Sequence, residues 1–73
     1  QNVFKDVYGM SPMAYLRLVR LKRVHSALRN GGEDGATIAQ IARAWGFGHM
    51  GRFAEIYRHQ FGELPSETVR KRV

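Results

Sequence analysis

The chain has no cysteine, only two prolines and a single tryptophan in 73 residues. Without cysteine, a disulfide framework and a thiolate metal site are both excluded, and the composition suits a reducing compartment. No apolar run reaches the roughly 20 residues that cross a bilayer, and no secretory leader is visible, so the expected location is cytoplasmic. Acidic residues are scarce as well. Six Asp and Glu stand against twelve Lys and Arg, a net charge of +6, which favours a polyanionic partner such as nucleic acid or an anionic membrane. Catalytic groupings are lacking: His25, His49 and His59 have no metal-ligand spacing, and no acid or nucleophile is set beside a histidine as a triad requires. Ser11, Ser26 and Ser66 read as caps or helix surface. Neither an enzyme nor a bound cofactor is expected, and the length allows one small domain with a modest core.

What is present is concentrated between Thr37 and Gly62. Thr37 can accept a hydrogen bond from a backbone N–H one turn on, and Gln40 can reach back, the reciprocal arrangement that starts a helix. Ile38, Ile41, Ala42 and Trp45 then succeed one another at helical spacing, which places Trp45 in the core rather than on a stacking surface. Gly46 is expected to stop the helix in a left-handed conformation, Phe47 to plug the corner, and Gly48 to allow a tight turn into a second helix. In that helix Phe53, Ile56 and Tyr57 share an apolar arc, whereas His49, Arg52, Glu55 and His59 lie opposite. One face packs and the other is free to touch a partner. An ordinary αα-hairpin has the same outline, but a helix-turn-helix in which the second helix enters a DNA major groove accounts for the polar face too.

The fixed residues Ile41-Ala42, Gly46-Phe47, Phe53, Arg58, Phe61-Gly62 and Pro65 resemble the signature of the C-terminal DNA-binding domain of AraC/XylS-type transcription regulators. That resemblance implies sequence-specific binding of double-stranded DNA within a transcription regulator, with RNA polymerase as a further partner. It also implies a small-molecule effector acting through a domain outside this chain, and no membrane partner.

The beginning of the chain echoes the end at an offset of 53 residues. Val3-Phe4-Lys5 answers Ile56-Tyr57-Arg58, Tyr8-Gly9 answers Phe61-Gly62, Pro12 answers Pro65 and Arg17 answers Arg70. Two consecutive helix-turn-helix units leave such a repeat, and the family resembles this in joining two units by one long helix. Residues 1–10 then read as the remnant of a first helix-turn-helix, 11–30 as the linker helix and 37–73 as the second unit. On this reading Gln1 falls inside a recognition helix, and the start of the first unit is expected to lie outside the chain.

Ser11 before Pro12 looks like an N-cap with proline at the first helical position, and Gly31-Gly32 ends the helix that they start. The 18 residues from Pro12 to Arg29 make a rod of ~27 Å, suited to two reading heads in major grooves ~34 Å apart. Ala14, Leu18, Leu21, His25 and Leu28 lie along one side, and Arg17, Arg20, Lys22 and Arg23 are spread over the rest, where a solvated face and a functional contact are equally open for any one arginine. Glu33 and Asp34 belong to a flexible acidic loop. The fold class expected is all-α: a homeodomain-like three-helical unit preceded by a long linker helix.

The candidate base-reading residues are Arg52, His49, Met50, Gly51, Glu55, Gln1 and Asn2. Arg52 can donate twice to guanine, with a phosphate contact as its alternative. His49 can meet a base or a phosphate, and Met50 can cover a thymine methyl. Gly51 departs from the polar residue common there in the family; it weakens the helix by about 1 kcal/mol relative to alanine and permits close backbone approach. Glu55 can accept from cytosine, although pairing with Arg58 or His59 within the helix is favoured. Gln1 and Asn2 match recognition positions of the first unit, where either amide suits adenine, or are simply frayed. Arg58, Lys5, Thr37 and Arg70 form the phosphate set, and Lys71 and Arg72 add to it. The competing reading is a basic helical module that binds an anionic membrane or an acidic protein through residues 13–29.

Overall fold

The computed structural model describes residues 2–31 and 35–72, with residues 2–4 described by backbone alone. Gln1, the side chains of Asn2, Val3 and Phe4, and the pair Glu33 and Asp34 lie outside the described residues, and so do the expectations placed on them. Five helices succeed one another: α1 (Asn2–Tyr8), α2 (Pro12–Arg29), α3 (Ile38–Ala44), α4 (Met50–Phe61) and α5 (Pro65–Arg70). No strand occurs among the described residues, and the architecture is all-α, as the periodicity predicts.

The helix boundaries are set locally. The Ser11 hydroxyl accepts from the Ala14 N–H at 3.2 Å and Pro12 opens α2. At the start of α3 the Thr37 hydroxyl accepts from the Gln40 N–H at 3.1 Å while the Gln40 side chain accepts from the Thr37 N–H at 2.8 Å. Two donors that would otherwise be orphaned are thereby satisfied. The end of α3 reverses the chain: the Gly46 N–H reaches the Arg43 carbonyl and the Phe47 N–H reaches the Ala42 carbonyl, both at 3.0 Å. These paired bonds require a left-handed residue between them, and Gly46 supplies it at φ 93°.

That reversal decides which aromatic enters the core. Trp45 sits at the helix cap, off the Ile38–Ile41 stripe, and is 41% exposed; the expectation that it is core is therefore corrected. Phe47 turns inward instead, with its ring 5.2 Å from that of Phe53. The tight turn does not depend on Gly48, contrary to expectation: its φ is not positive and a Cβ there meets open space. Gly46 does that work.

Leu21, Val24 and Leu28 of α2, Ile41 and Ala42 of α3, and Phe53 and Tyr57 of α4 form the buried core. Val24, which the stripe drawn on α2 omits, has no exposed surface. The omission comes from running the apolar face through His25, which is only half-buried and stacks on Phe61 with ring centres 4.1 Å apart. No residue of α2 before Leu21 is buried. The helix is therefore core in its second half and a projecting arm in its first, and the molecule measures 41 × 21 × 21 Å.

Helix α5 closes the far end of α4. Tyr57 is completely buried, and its hydroxyl lies 2.6 Å from that of Thr68. Thr68 in turn donates to the Glu63 carboxylate, which also accepts from the Lys71 ammonium at 2.7 Å. Because a carboxylate only accepts, the proton order is fixed: Tyr57 gives to Thr68, and Thr68 to Glu63. The Lys71 and Thr68 hydrogen bonds hold the Glu63 carboxyl below its ordinary value. Burial pushes the Tyr57 phenol up.

Candidate nucleic-acid interface

Helix α4 is fixed on its inner side by Phe53 and Tyr57, and its opposite side is bare. His49, Arg52, Glu55 and His59 are all exposed, and the three that lie within the helix, Arg52, Glu55 and His59, fall in an arc of roughly 60° centred about 150° from the buried pair. Arg58 projects about 60° beyond Glu55, on the flank of that stripe. The helix thus presents a polar ridge with a cation beside it.

The tip of the ridge is built by one histidine. His49 is the N-cap of α4, and its Nδ1 accepts from the Arg52 N–H at 3.0 Å. With Nδ1 as acceptor, the neutral ring carries its proton on Nε2, so the edge left for a partner is a donor. Gly51 makes room for this cap. A Cβ at Gly51 would stand 3.3 Å from the His49 Cε1, closer than an undisturbed contact. The glycine thus admits the imidazole over the first turn, a reason its sequence position alone does not reveal.

Met50 is half-buried and packs against the core, because it lies on the same side of α4 as Tyr57, about two turns on. Glu55 pairs with neither Arg58 nor His59: among the described residues the ion pair within 4 Å is that of Lys71 with Glu63. An exposed i,i+3 or i,i+4 pair gains only about 0.2–0.5 kcal/mol, too little to immobilise two long side chains. The Glu55 carboxylate is therefore left to solvent on the ridge.

The phosphate set is dispersed. Lys5 is exposed on α1, Arg58 on α4 and Arg70 at the end of α5. Thr37 is exposed at the start of α3 with its oxygen engaged in the cap, which leaves its own hydroxyl hydrogen to donate. Gln1 and the Asn2 side chain fall outside the described residues. Two side chains whose role the sequence leaves open between a solvated face and a contact have more definite surroundings. Arg17 and Arg20, one turn apart on the projecting half of α2, line a groove of about 540 Å³ together with Gly48, His49 and Arg52. Their i, i+3 spacing in the half of α2 that ends up without core residues was the available signal.

Residues 1–71 match the family model described as a helix-turn-helix domain. The chain is 41% identical over 70 residues to the XylDLEGF operon transcriptional activator of Pseudomonas putida, covering 96% of this chain and 22% of that protein. It is 36% identical over 67 residues to the probable thc operon regulatory protein of Rhodococcus erythropolis, covering 92% of this chain and 20% of the relative. The virulence regulon transcriptional activator VirF of Yersinia enterocolitica is 36% identical over 68 residues, covering 93% of this chain and 24% of the relative. The chain thus spans about a fifth to a quarter of the length of these relatives. No solved structure matches. With a capped first helix, a glycine-reversed turn, a second helix bare on one side, and a family match along nearly its whole length, the chain belongs to the AraC/XylS-type helix-turn-helix family of DNA-binding transcription regulators.

Proposed function

We propose that this chain binds double-stranded DNA at a promoter in a sequence-specific way, with α4 as the helix that enters the major groove. The observation that carries the proposal is the exposed ridge of His49, Arg52 and Glu55, held rigid by Phe53 and Tyr57 on the opposite side. Arg52 takes guanine by two hydrogen bonds, His49 offers its Nε2–H to a base or phosphate acceptor, and Glu55 accepts from cytosine. Gly51 lets the tip approach closely. Arg58, Thr37, Lys5 and Arg70 contact phosphates, which add affinity without sequence choice. On the same reading the protein works in the cytoplasm without cofactor or catalysis, contacts RNA polymerase, and receives any small-molecule signal through a domain beyond this chain.

The competing module would use the polar face of residues 13–29; the apolar residues Leu21, Val24 and Leu28 of α2 are buried in the core and are not available for insertion into a membrane surface. Among the described residues no helix is long and apolar enough to cross a membrane. The test is a competition assay with duplexes selected from a random pool. Arg52→Ala is expected to lose roughly 1–3 kcal/mol on the selected duplex and to relax the preference at one base pair, whereas Arg58→Ala weakens selected and scrambled duplexes alike. Equal losses on both duplexes for Arg52→Ala would move that residue to the DNA backbone.

A further inference from the structure

The groove between the projecting half of α2 and the start of α4 is lined by Arg17, Arg20, Gly46, Gly48, His49 and Arg52 among others, and none of its lining residues is acidic. The Arg20 guanidinium lies over the turn: a Cβ on Gly46 would stand 3.5 Å from its Nη1. Arg17, Arg20 and Arg52 form no ion pair with a carboxylate among the described residues, the Lys71–Glu63 pair lying toward the other end of α2. Three guanidinium groups thus share one concave surface without a counter-charge. Like charges gathered in this way repel, and an oxyanion placed between them removes the repulsion while accepting charge-assisted hydrogen bonds.

The position of the groove says which oxyanion. Helix α1 stands to α2 as α4 stands to α5: a glycine at φ 72° or 75°, then a proline opening the next helix. The first half of α2 therefore lies between the end of one reading helix and the tip of the next, where the duplex backbone must cross between successive major grooves. We infer that Arg17 and Arg20 of the linker helix bind a phosphodiester of that crossing strand, in the groove they share with the tip of α4. The inference rests on the reading of α1 and α4 as the two recognition helices. It assigns the linker arginines to the DNA rather than to solvent, and it makes the linker a third contact surface.

Gly48 provides a clean probe. It lines the groove, its φ is not positive and a Cβ there meets nothing within 4 Å, so side chains fit without strain. Gly48→Asp sets a carboxylate on the groove wall beside the phosphate rather than in its place, and Gly48→Asn adds the same bulk there without the charge. The 73-residue chain and its variants are titrated with a fluorescent duplex of arbitrary sequence at several salt concentrations, with circular dichroism as the control for folding. The expected result is that Arg17→Ala/Arg20→Ala and Gly48→Asp each bind about tenfold more weakly at low salt, as loss of a charge-assisted contact predicts. Each should also lower the slope of log K against log[salt] by about 0.9, the value for one phosphate. Gly48→Asn should bind within about twofold of the parent. Parental affinity and slope in both the double variant and Gly48→Asp, with Arg52→Ala still selectively impaired, would overturn the inference and leave the α4 reading intact. An equal loss in Gly48→Asn and Gly48→Asp would overturn it as well, since bulk rather than charge would be responsible. A parent chain whose duplex binding ignores salt would remove the α4 reading itself.

Discussion

The two ends of the molecule are built on one local frame and buried to very different extents. Gly9 and Gly62 hold φ values of 72° and 75°, and their N–H groups reach the Lys5 and Arg58 carbonyls at 2.7 and 2.8 Å. Each is followed three residues later by a proline that starts a helix. Around Gly62 the frame encloses Tyr57, Thr68 and a buried Pro65; around Gly9, Val7 is 69% and Met13 73% exposed. Met10, Tyr15 and Leu18 stand where Glu63, Thr68 and Lys71 form their hydrogen-bonded chain. Identical turns at unequal burial show that the turn is specified by a few residues nearby, whereas burial depends on a further helix packed alongside, as α2 is packed on α5.

The contrast is strongest for single large side chains. Tyr57→Ala is expected to lower unfolding free energy by about 3–5 kcal/mol, as for other fully buried aromatics, and Met13→Ala by less than about 0.5 kcal/mol. Urea titration of both variants measures this. Similar losses would mean that the arm of α2 is packed as firmly as the core. A smaller effect, about 1–3 kcal/mol, is expected for Thr68→Val, which keeps the shape but leaves the buried Tyr57 hydroxyl and one Glu63 oxygen without a partner. A neutral Thr68→Val would show that the polar chain is ornamental and that the second frame is held by apolar packing alone.

The glycines sharpen the comparison. Alanine at either position adopts a left-handed conformation at roughly 1–2 kcal/mol. For Gly62 that cost should appear in the global unfolding midpoint, and for Gly9 it should appear as faster amide exchange confined to α1. A shared response in both variants would mean that α1 unfolds only with the core.

The smallest expected effect concerns pH. Burial, and then the nearby Arg29 charge, hold the His25 imidazole below its ordinary value of 6.5, although Glu63 opposes the shift. The unfolded chain therefore takes up this proton at higher pH than the folded one. Stability is complete above 6.5 and declines as pH falls through the lower folded value. Glu63 acts in the same direction in a more acidic window, below its ordinary 4.5. Denaturation midpoints between about pH 7.5 and 5 should fall in the parent and stay flatter in His25→Phe, which preserves the stack on Phe61.

Much of the frame was legible because it depends on residues three or four apart. Ser11 with Pro12, Thr37 with Gln40, and Gly46 and Gly62 after their helices each state a hydrogen-bonding need that only one local geometry meets. The candidate ridge on α4 was legible for the same reason, since a 3.6-residue period separates its two faces. Trp45 and Val24 were misplaced or missed where the outcome turned on a chain reversal or on a neighbouring helix. The chain from Tyr57 through Thr68 to Glu63 and Lys71, and the approach of Arg20 to Gly46, join separate elements, and no spacing along the sequence announces them.

The division of α2 into an embedded half and an arm makes it a transmitter of angle more than of length. One residue inserted between Arg17 and Leu21 would lengthen the rod by about 1.5 Å but swing everything before it through about 100°. A change of seven residues restores the original bearing to within about 20° and adds about 10 Å. Spacing between the two ends can therefore change only in steps of nearly whole turns. A helix of this kind converts sequence length into rotational phase, and the pitch of the duplex sets which phases are usable.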